Sequence, residues 1–231
     1  MSIKKDKAID KILSEFDEAS KLTLKQIELL IKVISTKDTG IPTDILKQIK
    51  KNEKKLDVFE LKISEKIINV MVLYGPVASE LRNLMACYRM IISLERIGDL
   101  VIKASDSLKK LNDKRLLLLN LEDITKMSNL AFEMVSKATL SFTNNEKEEA
   151  IWVIQNDLVV GKLNRHITRN SILAEEVIEE MQKALADYSE TRNIISTIER
   201  IADHATHIAE ASIFASVGKD IRHKSGFSIK N

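Results

Sequence analysis

With 231 residues, 44% of them hydrophobic, and a single cysteine, the chain can build a sizeable core but no internal disulfide and no thiolate metal cage. Lys+Arg of 36 against Asp+Glu of 34 leaves a formal charge of +2, too balanced for net charge to recruit nucleic acid. No window of about 18 residues is free of charge, so no membrane span is expected; "MSIKKDKAIDKILSEFDEAS" lacks a signal-peptide core, and the expected location is the cytoplasm.

Two prolines and six glycines among long runs of Lys, Glu, Leu and Ile are the composition of long helices. Leu22, Leu24, Ile27, Leu29, Leu30, Val33 and Ile34 recur at helical spacing and mark the first helix. It stops near "TKDTGIPTD", and Thr43 is a suitable cap for a second helix running through "ILKQIKKNEKKLDVFELKISEKIINVMV". "YGPVAS" breaks it, with Pro76 placed for the first turn of a third helix that runs to about Leu111. "LEDITKMSNLAFEMVSKATLSF" predicts a fourth helix. A fifth runs from Asn144 to Met181 and a sixth from Ala184 to Gly218. No segment carries a convincing strand period. The fold class is all-α, in two tandem three-helix bundles, residues 1–110 and 111–231.

The second half echoes the first. "SLERIGDLVIKASD" (93–106) and "TIERIADHATHIAE" (197–210) align Glu95 with Glu199, Asp99 with Asp203 and Asp106 with Glu210, each 104 positions apart. Glu53 and Asp157, midway along the second and fifth helices, keep the same offset, so two helices of each unit repeat together. At 100° per residue, Asp203 lies about 40° and Glu210 about 20° from Glu199, with His207 near 80°. Ile198, Ile201, Ala205 and Ile208 take the far side. Glu95, Asp99 and Asp106 likewise oppose Leu94, Ile97, Val101 and Ala104.

A solvated helix face is the plain reading of such a stripe. Against it, like charges four apart repel by a few tenths of a kcal/mol, and the stripe occurs twice. The preceding helix of each unit also adds acids: Glu53, Asp57 and Glu60 in the first, Asp157 in the second. Facing acidic helices would make an oxygen-rich cleft suited to Mg²⁺, Mn²⁺ or Fe, with a histidine favouring Fe or Zn.

"GPVASELRNLMACYRMIISLERIGD", the twin Glu-Arg-Ile motifs and the ending "SVGKDIRH" together resemble the PhoU phosphate-uptake regulators over essentially the whole chain. The resemblance implies two three-helix bundles related by a pseudo-twofold, whose acidic faces bind multinuclear clusters of iron or other divalent cations. It implies negative control of phosphate uptake through contacts with a phosphate ABC transporter ATPase and a membrane histidine kinase. It also implies a homodimer, no nucleic-acid partner, and membrane contact only through those partners. The matching metal positions are Glu95, Asp99 and Asp106 with Glu53, Asp57 and Glu60, and Glu199, Asp203, His207 and Glu210 with Asp157. Lys103 stands where His207 stands in the second unit, and Gly161 and Asn164 replace Asp57 and Glu60. Because the Lys103 charge should weaken binding in the first unit where the second keeps a histidine, the second site is expected to be the better one.

Alternative readings are a free relative of the helical domains that partner sodium–phosphate cotransporters, and a metal-free helical adaptor. An enzyme is not expected. No histidine follows a glutamate by three residues, as a ferritin-like di-iron centre requires, and no phosphate loop or nucleophile–base order is found. Cys87 reads as a buried thiol, Trp152 as core or inter-bundle contact, and His166 as a solvated surface group lacking an acid at i±4. His223 reads as a capping or packing residue, Arg96 and Arg200 as ion-pair partners of nearby acids, and "KKNEKK" (50–55) as a solvated helix face.

Overall fold

The computed structural model describes residues 2–36, 42–175 and 181–222. Seven helices follow in order: α1 (Ser2–Ser35), α2 (Thr43–Tyr74), α3 (Ser79–Lys110), α4 (Arg115–Leu119), α5 (Leu121–Thr143), α6 (Lys147–Glu175) and α7 (Met181–Val217). No strand occurs among the described residues. No described helix is long and apolar enough to cross a membrane. Gly40 and His223 lie outside the described residues.

The units are α1–α2–α3 and α5–α6–α7, each packed internally. They join through α3 against α7 and α1 against α5. Under the 104-residue offset these are equivalent helices, so each meets its own counterpart, as a pseudo-twofold requires. Phe16 of α1 and Phe142 of α5 meet edge to face across this seam, 5.4 Å between centroids. Buried residues of both units form one continuous core. α3 is therefore buried on two sides: Leu94, Ile97, Val101 and Ala104 are fully inaccessible, and little of its surface remains for the acids.

Local signals placed the breaks but not every cap. Thr43 is already helical; the cap position is Pro42, whose carbonyl accepts from the Ile45 N–H at 3.0 Å with no side-chain cap. Pro76 precedes α3 by three residues rather than opening it. Gly75 instead ends α2 in the left-handed conformation (φ 54°), its N–H bonded to the Met71 carbonyl. Ala78 (φ 50°) completes the reversal. Met181, read as the end of the fifth expected helix, opens α7. The short α4 was not expected. Its Leu116 and Leu117 are buried, and the linker before it is held by Asp187 of α7, which accepts from the N–H groups of Asn112 (2.7 Å) and Asp113 (3.0 Å).

A close approach sets the spacing of α2 and α3. A Cβ at Gly98 would lie 2.7 Å from Leu56 Cδ1, so only glycine admits this leucine fully. The equivalents in the second unit are Val160 and Ala202, both buried. One side of the contact loses a carbon and the other gains one, which conserves volume. Leu56 sits between Glu53 and Asp57, and Gly98 between Glu95 and Asp99. The packing that seats the leucine therefore also brings the two acidic helix faces together.

Candidate functional site

In the first unit the expected carboxylates converge. Glu53 is held above the ordinary carboxylate value by partial burial, then by the charges of Asp57 and Asp99. Glu95 is raised in the same way, by burial first, then by Asp99, with Asp57 and Glu60 of α2 adding to it. Five of the six acids are thus electrostatic neighbours. Asp106 stands apart and pairs with Lys109 at 2.7 Å. The cation that meets the stripe is Arg96, 3.5 Å from Glu95 and 3.7 Å from Asp99. Lys103 is exposed. The Glu95 side chain retains only 20% of its accessibility, which is not the solvated face of the plain reading.

In the second unit Asp157, Asp203, His207 and Glu210 line one cleft of about 500 Å³. Asp203 is raised by desolvation, then by Asp157 and Glu199. Thr206 donates to Asp157 at 3.4 Å. Glu199 does not line the cleft. It accepts a hydrogen bond from Asn164, and its Oε1 lies 3.7 Å from where a Cβ of Gly161 would be. Asn164 in turn accepts from Arg192 at 3.1 Å and Thr168 at 3.2 Å. The asparagine thus does more than delete a ligand: it ties Glu199 down.

Sequence reasoning missed three further groups at this cleft. Arg89 and Ser93 reach it from α3 of the other unit, and Arg222 from the segment after α7. Arg222 is clasped by Asp220 (2.9 and 3.1 Å from Nε), which holds that carboxyl down at about 2. Arg89 lies 4.0 Å from Asp220 and over the Phe214 ring. The terminal "SVGKDIRH" was a visible signal, but its position against the acids follows from chain reversal after α7.

His204, one residue past Asp203, turns inward from the stripe. Burial, then His207 and Arg200, depress it to about 4, and its Nδ1 is buried without a hydrogen-bond partner. The His204 and His207 rings meet edge to face at 5.6 Å. His166 does have an acid neighbour, Asp123 of α5 at 3.5 Å, supplied across helices rather than along one. Trp152 is partly buried within its own unit, with Lys137 of α5 over its ring. Cys87 is buried, which pushes its thiol up to about 12.

Among the described residues, no three His, Cys, Asp or Glu side chains are gathered as closely as ligands on one ion. The carboxylates are neighbours across a cleft rather than a closed shell. Their raised values come first from desolvation and then from the neighbouring carboxylates, and the all-oxygen donor set of the first unit fits a hard divalent ion.

A protein-family model described as the PhoU domain matches twice, over residues 16–108 and 124–212. A "Phosphate-specific transport system accessory protein PhoU homolog" of Burkholderia sp is 25% identical over 222 residues, covering 95% of this chain and 92% of that protein. The PhoU homolog 1 of Methanothermobacter thermautotrophicus is 27% identical over 212 residues, covering 90% and 92%. The crystal structure of PhoU from Pseudomonas aeruginosa superposes with a TM-score of 0.82 at 21% identity, over 93% of this chain and 99% of that one. The phosphate transport system regulatory protein PhoU from Streptococcus pneumoniae gives 0.80 at 18% identity, over 94% and 98%. At those identities the two structures speak for the fold.

Proposed function

The chain belongs to the PhoU family, and on that premise we propose that it is a metal-dependent accessory regulator of a phosphate transport system. It acts in the cytoplasm as a homodimer, without catalysis of its own. It restrains uptake by contacting the transporter ATPase and a membrane histidine kinase. Support for a role in phosphate transport comes from the names of its relatives. The observation that carries the metal reading is the pair of carboxylate clefts at matching places in the two units, where Glu53, Glu95 and Asp203 are all raised.

The clefts differ in donor chemistry. The first offers five carboxylates against Arg96 and suits Mn²⁺ or Mg²⁺. The second offers three carboxylates and His207 against Arg89 and Arg222, and suits Fe or Zn. Beside the ranking expected from Lys103, the donor sets predict a division by ion. In each case a bound cation would offset the repulsion between the facing carboxylates, with Glu53, Glu95 and Asp99 in the first unit and Asp157, Asp203 and His207 in the second as the residues that would hold it.

The test is metal per chain for wild type, Asp99→Asn and Asp203→Asn, loaded separately with Mn²⁺ and Zn²⁺. Asp99→Asn should lose Mn²⁺ and Asp203→Asn should lose Zn²⁺. Wild type that binds neither ion leaves a metal-free adaptor. For the regulatory part, cells lacking the protein should take up phosphate faster in replete medium, and wild-type chain should restore restraint. Pull-down from those cells identifies the partner; recovery of a sodium–phosphate cotransporter instead of an ATPase would redirect that half of the proposal.

A further inference from the structure

α2 is an outer helix. It packs against α1 and α3 through Ile49, Leu56, Ile63 and Ile67, and its opposite face meets no other helix. Along the first half of that face Lys47, Lys50, Lys51, Lys54, Lys55 and Lys62 line a groove of about 840 Å³ floored by Val58 and Phe59. Lys62 is engaged with Glu15 at 2.9 Å. Among the described residues, Lys47, Lys50, Lys51 and Lys55 make no ion pair. Along the second half the same face carries Leu61, Ile68, Val72 and Leu73, all more than half exposed, and Val72 is 77% exposed. Glu65 interrupts it, and Asp44 lies on it in the first turn.

From this face we propose that α2 docks the protein directly on an anionic phospholipid surface. The composition chooses the occupant. Protein–protein interfaces are depleted in lysine and anchored by Arg, Trp and Tyr, and this stripe has six lysines and none of those. Lysines on a helix beside exposed aliphatic side chains are instead the chemistry of interfacial helices: ammonium groups meet lipid phosphates while the aliphatic side chains enter the headgroup boundary. The lysine stems add to the apolar floor while their heads reach outward. A second copy of this face would offer its lysines few carboxylates, since antiparallel two-fold pairing sets the lysine half against the aliphatic half. The metal clefts lie toward α3, where Glu53 and Asp57 meet Glu95 and Asp99; Lys54 is the groove lysine whose charge reaches Glu53, and the triple variant tested below leaves it in place. This contact would be additional to any made through protein partners, and it does not depend on metal.

Co-sedimentation of the full chain with vesicles tests it. Wild type should bind vesicles of phosphatidylglycerol in phosphatidylcholine at low ionic strength, release in 0.5 M salt, and ignore phosphatidylcholine alone. Each lysine near an anionic surface contributes roughly fivefold in affinity. The variant K50E/K51E/K55E should therefore bind at least about a hundredfold more weakly at wild-type helicity by circular dichroism. Val72→Ser should weaken binding several-fold and leave its salt dependence unchanged. Failure of wild type to bind anionic vesicles, or equal binding by the triple variant, overturns the proposal. So does a dimer in sedimentation velocity that Val72→Ser splits, which would place a second copy on this face. None of these outcomes alters metal content, so failure here and failure of the metal reading are separable.

Discussion

Replacing Glu95 with glutamine should shift stability in opposite directions with and without metal. Glu95 faces Asp99 on its own helix and Asp57 and Glu60 on α2. Its one close cation, Arg96, is itself 59% exposed and so offsets little. A like-charged pair four residues apart costs a few tenths of a kcal/mol, and two screened cross-helix repulsions add comparable amounts. Glu95→Gln keeps the shape, removes the charge, and should stabilise metal-free protein by about 1 kcal/mol, or roughly 2–4 °C for a chain of this size. With saturating Mn²⁺ the order reverses, because wild type gains the linkage energy of a ligand that the variant has lost. The pH dependence has a definite sign. A carboxyl raised in the folded state favours folding below the ordinary value of 4.5, and that contribution is lost as pH rises through the raised value. The amide is neutral throughout, so the gap between variant and wild type should close below pH 4.5 and open above it. Thermal melts in EDTA and in Mn²⁺, from pH 4 to 8, measure this. A metal-free variant less stable than wild type at pH 7, or a gap unchanged at pH 4, would refute the reasoning.

Gly98→Ala should cost about 1–3 kcal/mol by overpacking against Leu56, partly offset by alanine's helix propensity, read as a lower urea midpoint. Adding Leu56→Val to it should recover most of the loss, since the second unit uses that pairing. His204 is neutral in the folded protein down to about 4, whereas the unfolded imidazole protonates near 6.5. Stability should therefore fall as pH drops between those values, and His204→Asn should flatten that slope in denaturant titrations. Cys87 should resist alkylation at pH 8 in native protein and react fully in guanidinium, as a buried thiol pushed up to about 12 requires; modification at native rates comparable to free thiol would contradict its burial.

Much of the fold was legible in the sequence because its causes are local and periodic. Leu94, Ile97, Val101 and Ala104 repeat at helical spacing, and all four are core. The 104-residue offset, present in two helices of each unit, announced two copies before any contact was known. The carboxylate stripes were legible for the same reason: Glu95 and Asp99, or Asp203 and Glu210, share a face by helix geometry alone. Where the reading of ends went astray, Pro42 rather than Thr43 caps the start of α2, and at its far end Gly75 and Ala78 together make the reversal ahead of α3 that Pro76 alone does not.

Tertiary structure decided everything that depends on which helices meet. The sequence held Glu53 and Asp99 but not their proximity, which follows from Leu56 seated over Gly98. It placed Glu199 on the stripe but could not foresee that Asn164 would bind it, or that Asp106 would pair with Lys109. Arg89 and Arg222 approach the second cleft from another unit and from beyond α7, separations that no helical period encodes. His166 found its acid, Asp123, on a neighbouring helix for the same reason. Periodicity fixes the direction of a side chain about its own axis; only packing between axes fixes what that side chain faces, and charge, burial and ligand sets are properties of what is faced.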